Sequence, residues 1–186
     1  MADSSQQPNS DAFMTLITCQ LAAHGQAILD IFNDAILHST ALYDYKARTM
    51  DDMHQWFAGK AAGHYPVIGA VDEAGTLMGF ASYGPFRPRP ANKYAVEHAI
   101  YVHPAHRGKG LGKVLLQALI EQAIAQDYHL LVGCIDTDNQ GSIALHEKLG
   151  FVHAGTINHA AFKFGRWLDL AFYQLLLPTP ANPVEG

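Results

Sequence analysis

Residues 101–113 read YVHPAHRGKGLGK, and this stretch decides the fold. The apolar run AVEHAIYV (95–102) has the character of a strand, and it stops at Pro104. Glycines then alternate at 108, 110 and 112, and Val114-Leu115-Leu116 opens a helical stripe. Residues without a Cβ let successive backbone N–H groups converge, and the helix N-terminus adds the positive end of its dipole. Arg107 and Lys109 add formal charge. The plain alternative is a glycine-rich turn that holds nothing. Three alternating glycines between two cations at a strand-to-helix junction favour a phosphate or pyrophosphate cradle instead. A Walker A loop is excluded, because Gly112-Lys113 is followed by Val114 and the required first glycine is Arg107. The dinucleotide pattern G-x-G-x-x-G also fails, ending on Lys113 or Leu115 according to the starting glycine.

Outward from the loop, the pattern is strand–helix–helix–strand–strand–strand before it and helix–strand–helix–strand–strand after it. Residues 14–19 form a short β-branched run. Residues 23–37 carry Ile28, Ile31, Phe32, Ala35 and Ile36 at helical spacing. Residues 50–61 form a second helix whose first turn suits Asp51 and Asp52. Strands 66–71 and 77–83 flank Glu73-Ala74-Gly75 as a hairpin. Helix 112–126 packs Leu115, Leu119 and Ala123. The run 129–135 is almost wholly apolar, as a central strand is. Asn139 suits the cap of a helix from 141 to 149, Gly150 stops it, and strands at 151–154 and 170–176 close the sheet. The expected fold is α/β: one domain with a mixed sheet and helices on both faces, over residues 13–177. Residues 1–12 are expected to be disordered, and 178–186 to form a tail.

Apolar residues make up 49% of the 186 and charged residues 16%, with a net charge of −5. A mildly acidic chain argues against a nucleic-acid or anionic-membrane partner. No apolar run approaches the ~20 residues of a membrane span, and no secretory leader is evident. Cys19 and Cys134 sit in apolar runs and read as buried thiols of a reducing, cytoplasmic setting. His98, His103 and His106 lie close in sequence, but without HExxH or a nearby cysteine they read as structural or solvated, and no metal is expected.

A second motif follows the first. Asn139-Gln-Gly-Ser-Ile-Ala-Leu-His-Glu-Lys-Leu-Gly-Phe151 is similar to the N-x-x-(S/A)-x-x-(L/F)-(Y/H)-x-x-x-G-F stretch of the GNAT N-acetyltransferases. Arg107–Gly112 resembles the R/Q-x-x-G-x-G/A pyrophosphate loop of the same family. Within it, the phosphinothricin and methionine sulfoximine N-acetyltransferases are resembled at Asn33-Asp-Ala, Thr40-Ala, Ala81–Phe86, Val96-Glu-His, Lys163–Asp169 and Phe172-Tyr-Gln. The resemblance spans about residues 14–177 and implies a single-domain GNAT fold, acetyl-CoA as co-substrate and a small amino-acid analogue as acceptor. It further implies direct transfer in a ternary complex and a homodimer.

The resemblance also implies roles. Glu97 is a carboxylate out of place in AVEHAIYV unless it faces a cleft, and it resembles the general base that deprotonates the substrate ammonium. A salt-bridged edge-strand glutamate is the alternative. His146 stands where many members carry the tyrosine that protonates the leaving thiolate, and a packed helix histidine is the alternative. Arg87 and Arg89, stiffened by Pro85, Pro88 and Pro90, suit a carboxylate; the choice between them stays open. Asn92 stands near where the phosphinothricin enzymes carry a tyrosine, which leaves substrate identity open. The cradle itself is Arg107, Gly108, Lys109, Gly110, Leu111 and Gly112. Asn139 and Ser142 resemble CoA contacts or act as a simple N-cap, and the Val102 backbone is expected to meet the pantetheine arm. Trp56, Phe162, Phe164 and Trp167 read as core or interface. Two rivals remain: a GNAT acting on a polyamine or protein amine, and a non-catalytic acyl-CoA sensor. The arginine pair speaks against a polyamine, and Glu97 with His146 against a sensor.

Overall fold

Thr49 and Asp52 show how locally the helices are specified. The Asp52 carboxylate accepts from the Thr49 backbone N–H at 2.7 Å, and the Thr49 hydroxyl accepts from the Asp52 N–H at 3.3 Å. This reciprocal cap starts a helix at the next residue. At Asn139 the side chain accepts from Ser142 N–H at 3.1 Å and starts another, and Gly150, with φ 89°, turns the chain out of it.

A computed structural model describes residues 14–185. In chain order the elements are β1 (Thr15–Thr18), α1 (Leu21–His38), α2 (Met50–Ala62), β2 (Val67–Val71), β3 (Leu77–Pro85), β4 (Ala95–Val102), α3 (Leu111–Ala125), β5 (Leu130–Asp136), α4 (Gln140–Lys148), β6 (Val152–Lys163) and β7 (Arg166–Leu176). The seven strands form one mixed sheet in the order β1-β2-β3-β4-β5-β7-β6. Among the described residues only β4 and β5 are parallel neighbours. One core lies between the sheet and α3, around Ala81, Tyr83, Leu115, Leu116, Leu119 and Leu131. The other lies under α1, around Ile28, Phe32, Met53, Val67 and Phe80. Each buried Leu, Ile, Phe, Val or Met side chain among them contributes roughly 1.5–3 kcal/mol. The segment expected to be disordered, 1–12, lies outside the described residues. The described part of the tail carries no helix or strand, and it is tied to the body by Thr179 Oγ1 to the Tyr128 carbonyl and by Val184 N–H to Tyr94 Oη, the latter at 3.0 Å.

The last two strands run far beyond the expected 151–154 and 170–176. They form a long hairpin that pairs Lys163 with Arg166 around Phe164-Gly165. Both turn residues have positive φ, 51° and 73°. The sequence hides this because Phe-Gly is a weak turn signal beside Asn-Gly. The register also shifts between His153 and Gly155 and between Ile157 and Ala161, which breaks the period-two alternation.

The feature that places the chemistry is a gap in the sheet. β4 pairs with β5 only from Ala95↔Leu130 to His98↔Gly133. Beyond that point residues 99–102 pair with β3 alone, and residues 134–136 with β7 alone. The strands part, and β4 turns an unpaired edge toward the opening.

Candidate active site

The glycine loop sits where β4 ends. Gly108 and Gly110 adopt φ 76° and 79°, a region that side-chain-bearing residues avoid, and a Cβ at either would meet open space. Both positions therefore face open space. Among the described residues the N–H groups of 108–110 have no partner, and helix geometry orphans those of Leu111 and Gly112 at the start of α3. These N–H groups with the helix dipole fit a pyrophosphate. Gly112 serves packing instead. A Cβ there would meet Leu145 of α4 at 3.1 Å, so the glycine lets the two helices approach. Arg107 is turned away. Its guanidinium donates to Asp34 at 2.8 Å and to the Val102 carbonyl at 3.2 Å, which ties the loop to α1 and β4.

Glu97 faces the α1–α2 side of the sheet, at the wall of a cavity of about 130 Å³. Phe32, Leu42, Arg48, Trp56, Lys60, Phe80, Ser82 and Tyr101 complete the lining that matters here. Burial holds the Glu97 carboxyl above the usual carboxylate range, and a hydrogen bond from the Cys134 thiol partly opposes that rise. A raised pKa suits a base that must also release its proton. Neither cysteine has an activating partner nearby in sequence, but the fold brings Cys134 to Glu97. Burial and the neighbouring carboxylate push that thiol up to about 12, which keeps it protonated and a poor nucleophile.

His146 lies on the opposite face. It is buried, its Nδ1 is 2.7 Å from the Ser142 carbonyl, and its Nε2 is 2.8 Å from Nε2 of His98. A Cβ on Gly133 would stand 3.0 Å from both rings, so β5 needs a glycine there to admit the pair. Since Gly133 is the last β5 residue paired with β4, the histidines sit at the apex of the gap. Glu97 and His146 thus flank the gap from its two sides and do not touch. Asn139 and Ser142 are both engaged in the α4 cap. His98, expected as a structural or solvated histidine, is an internal partner of His146. Among the described residues no group of three or more His, Cys, Asp or Glu side chains gathers as a metal would require.

The Acetyltransferase (GNAT) family model matches residues 26–151, which include both the glycine loop and the helix after it. The chain belongs to the GNAT family. It is an acetyl-CoA-dependent N-acetyltransferase, of single-domain mixed α/β fold as the sequence led us to expect. A relative from Pseudomonas paraeruginosa, an L-methionine sulfoximine/L-methionine sulfone acetyltransferase, is 46% identical over 157 residues, covering 84% of this chain and 91% of the relative. An N-acetyltransferase structure from Staphylococcus aureus Mu50 superposes with TM-score 0.85 at 45% identity, covering 88% of this chain and 98% of that one. A GNAT superfamily phosphinothricin acetyltransferase from Sinorhizobium meliloti, in complex with acetyl-CoA, gives TM-score 0.87 at 34% identity and covers 93% of each chain.

In this GNAT chain the expected carboxylate readers Arg87 and Arg89 stand exposed on the loop after β3, outside the cavity lining. That loop leaves β3 beside Gly84, which pairs with Glu97. Sequence reading missed the cavity's own cations. Arg48 stacks over Phe32 at 4.2 Å and pairs with Asp44 at 2.8 Å. Lys60 donates to the Tyr83 carbonyl at 2.7 Å. The one available signal was Trp56 and Lys60, four apart and so on one face of the same helix. No helix of the described residues is long and apolar enough to cross a membrane.

Proposed function

We propose that this enzyme acetylates the α-amino group of a small amino-acid analogue of the methionine sulfoximine, methionine sulfone or phosphinothricin type. The observation that carries the reading is Glu97, a carboxylate open to the cavity beside the gap in the sheet that leads to the glycine loop. An amine must lose a proton before it attacks. In our reading Glu97 takes that proton, the nitrogen bonds to the thioester carbon, the carbon–sulfur bond breaks, and the thiolate leaves. The second proton that the bonded nitrogen sheds passes to the thiolate. His146, beside the apex of the gap, donates Nδ1–H to the Ser142 carbonyl and accepts at Nε2 from His98, so we read it as the packed helix histidine and not as the donor. Acetyl-CoA would rest its pyrophosphate on residues 107–112, with Asn139 and Ser142 close by and the pantetheine arm along the unpaired edge of β4 that ends at Val102. Arg87 or Arg89 would hold the substrate carboxylate at the mouth. We place the enzyme in the reducing cytoplasm, in keeping with two free cysteines. We also infer a homodimer. Phe162, Phe164 and Trp167, exposed by 45%, 57% and 57% on the β6–β7 hairpin, form the kind of apolar surface a partner covers.

The test is free-thiol release from acetyl-CoA across a panel of L-methionine sulfone, L-methionine sulfoximine, phosphinothricin, a polyamine and a peptide amine. Turnover confined to the amino-acid analogues supports the reading; turnover confined to the polyamine or peptide overturns it.

A further inference from the structure

Lys60 is a cation built into the wall of an aromatic cavity. Its Nζ lies 5.3 Å from the Trp56 ring centroid and 5.8 Å from that of Tyr65. Its one hydrogen bond among the described residues goes to the Tyr83 carbonyl, so two of its three N–H groups have no protein partner. A Cβ on Gly84, the residue opposite Glu97, would stand 3.6 Å from Nζ, which sets the ammonium next to the cavity's catalytic wall. Lys60 and Glu97 line one cavity, yet neither forms an ion pair among the described residues. Burial alone draws Lys60 down to about 8, the mark of a charge that lacks a counter-ion. Arg48, the other cation of the lining, already has its carboxylate in Asp44.

We propose that Lys60 determines side-chain specificity: its free N–H groups donate to the oxygens of the tetrahedral sulfur or phosphorus group at the end of the substrate side chain. The inference rests on the amino-acid reading above. With the amine at Glu97 and the strongly hydrated carboxylate outside at the arginine loop, the side chain is the part that enters the cavity. Phe32, Trp56 and Phe80 supply apolar faces for its methylenes and terminal methyl group. Only the oxygens then need donors, and Lys60 is placed to supply them. A side chain without those oxygens strips water from the half-buried ammonium and leaves its free N–H groups unmatched, which is how a polar pocket rejects an apolar isostere.

The experiment compares kcat/KM for L-methionine sulfone with that for L-methionine, which has the same skeleton without the oxygens. Wild type should favour the sulfone. Lys60→Met keeps the aliphatic stem and should shrink the preference by the roughly 10–100-fold that a hydrogen bond to a charged group carries. Lys60→Arg should retain it, and KM for acetyl-CoA should stay put in both. An unchanged sulfone-to-methionine ratio in Lys60→Met overturns the inference and leaves the amino-acid reading standing. Wild type that acetylates none of methionine sulfone, methionine sulfoximine and phosphinothricin removes the reading and the inference together. A second measurement uses the intact wild-type enzyme and depends on no variant folding. Reductive methylation of Lys60 by formaldehyde with a borohydride-type reductant, followed by mass spectrometry, should slow in the presence of methionine sulfone and not methionine. Equal labelling in both overturns the inference.

Discussion

His98 and His146 lie ring against ring inside the sheet–α4 interface, their Nε2 atoms 2.8 Å apart and their centroids 5.0 Å apart. Two imidazole nitrogens at that distance need one proton between them. The carbonyl of Ser142 accepts from His146 Nδ1–H at 2.7 Å, which leaves His146 Nε2 as the acceptor and makes His98 the donor. His98 Nδ1 is then a buried acceptor with no partner among the described residues. Burial lowers the pKa of both rings, and the mutual repulsion of two charged imidazoles lowers His98 further.

The first prediction is the pH dependence of stability. A histidine whose folded pKa is depressed stays neutral in the native state while the unfolded chain takes up a proton near about 6.5. Between those values the unfolded state binds more protons, so stability is full above that range and falls as pH drops through it. Thermal melts of wild type should lose stability progressively from about pH 6.5 down to about pH 3. His98→Phe should melt lower at neutral pH, because His146 Nε2 loses its donor, and should show a shallower fall. A slope as steep as wild type's would mean that the pair does not govern acid stability.

The second prediction concerns Glu97. Glu97→Gln keeps the shape and removes the proton acceptor. The loss should lie in kcat, of order 10²–10⁴-fold, with CoA affinity nearly unchanged. Since burial raises the Glu97 pKa, wild-type activity should climb on the acid side as the carboxylate deprotonates, and the variant should lose that limb. A kcat within a few-fold of wild type at neutral pH moves the base elsewhere.

The third prediction concerns the loop. Gly110 has φ 79° and faces empty volume, so Gly110→Val is strained in the backbone and intrudes where a phosphate must approach. Calorimetry should show CoA affinity collapse while the far-ultraviolet spectrum persists. Wild-type affinity in this variant removes the pyrophosphate assignment.

A fourth prediction follows from Lys163, buried at the end of β6. Its ammonium donates to three carbonyls, of Ile36, Ser39 and Leu42, at 2.7, 2.9 and 2.6 Å. It thereby bolts the hairpin to the end of α1 and to the segment that leads into the cavity at Leu42 and Arg48. Lys163→Met strips the three carbonyls of a charged donor and should lower Tm by several degrees, at about 2–4 °C per kcal/mol for a chain of this size. KM for the amino acid should rise more than KM for acetyl-CoA. Unchanged KM values for both substrates and wild-type Tm would make the bolt incidental.

What was legible in the sequence follows from how local each signal is. The 101–113 loop and the 139–151 helix are contiguous, and their glycines and caps act within a few residues, so their positions were readable. The His98–His146 contact joins β4 to α4, and nothing local in either stretch announces it. The cavity joins α1, the 39–49 segment, α2, β3 and β4, so nothing local to Arg48 or Lys60 announces that they share a wall. The β6–β7 hairpin was hidden by its bulges, one of which is pinned by the Asp169 carboxylate accepting from His159 N–H at 2.7 Å.

The last prediction separates Arg87 from Arg89 and tests whether the loop reads a carboxylate at all. Both arginines are exposed, and Arg87 lies over Phe86 at 5.7 Å. An exposed cation is well hydrated, so its pairing with a carboxylate gains little unless its geometry is fixed, and the prolines at 85, 88 and 90 limit the loop's freedom. If one arginine holds the carboxylate, replacing it with alanine should raise KM for methionine sulfone about tenfold or more and leave KM for acetyl-CoA unchanged. The other substitution should change neither by more than a few-fold. The decarboxylated amine of methionine sulfone supplies the control: wild type should turn it over far less well than the acid, and the critical arginine variant should bring the two closer together. Equal wild-type turnover of acid and amine would show that neither arginine reads a carboxylate, and would return the choice of acceptor to a general amine.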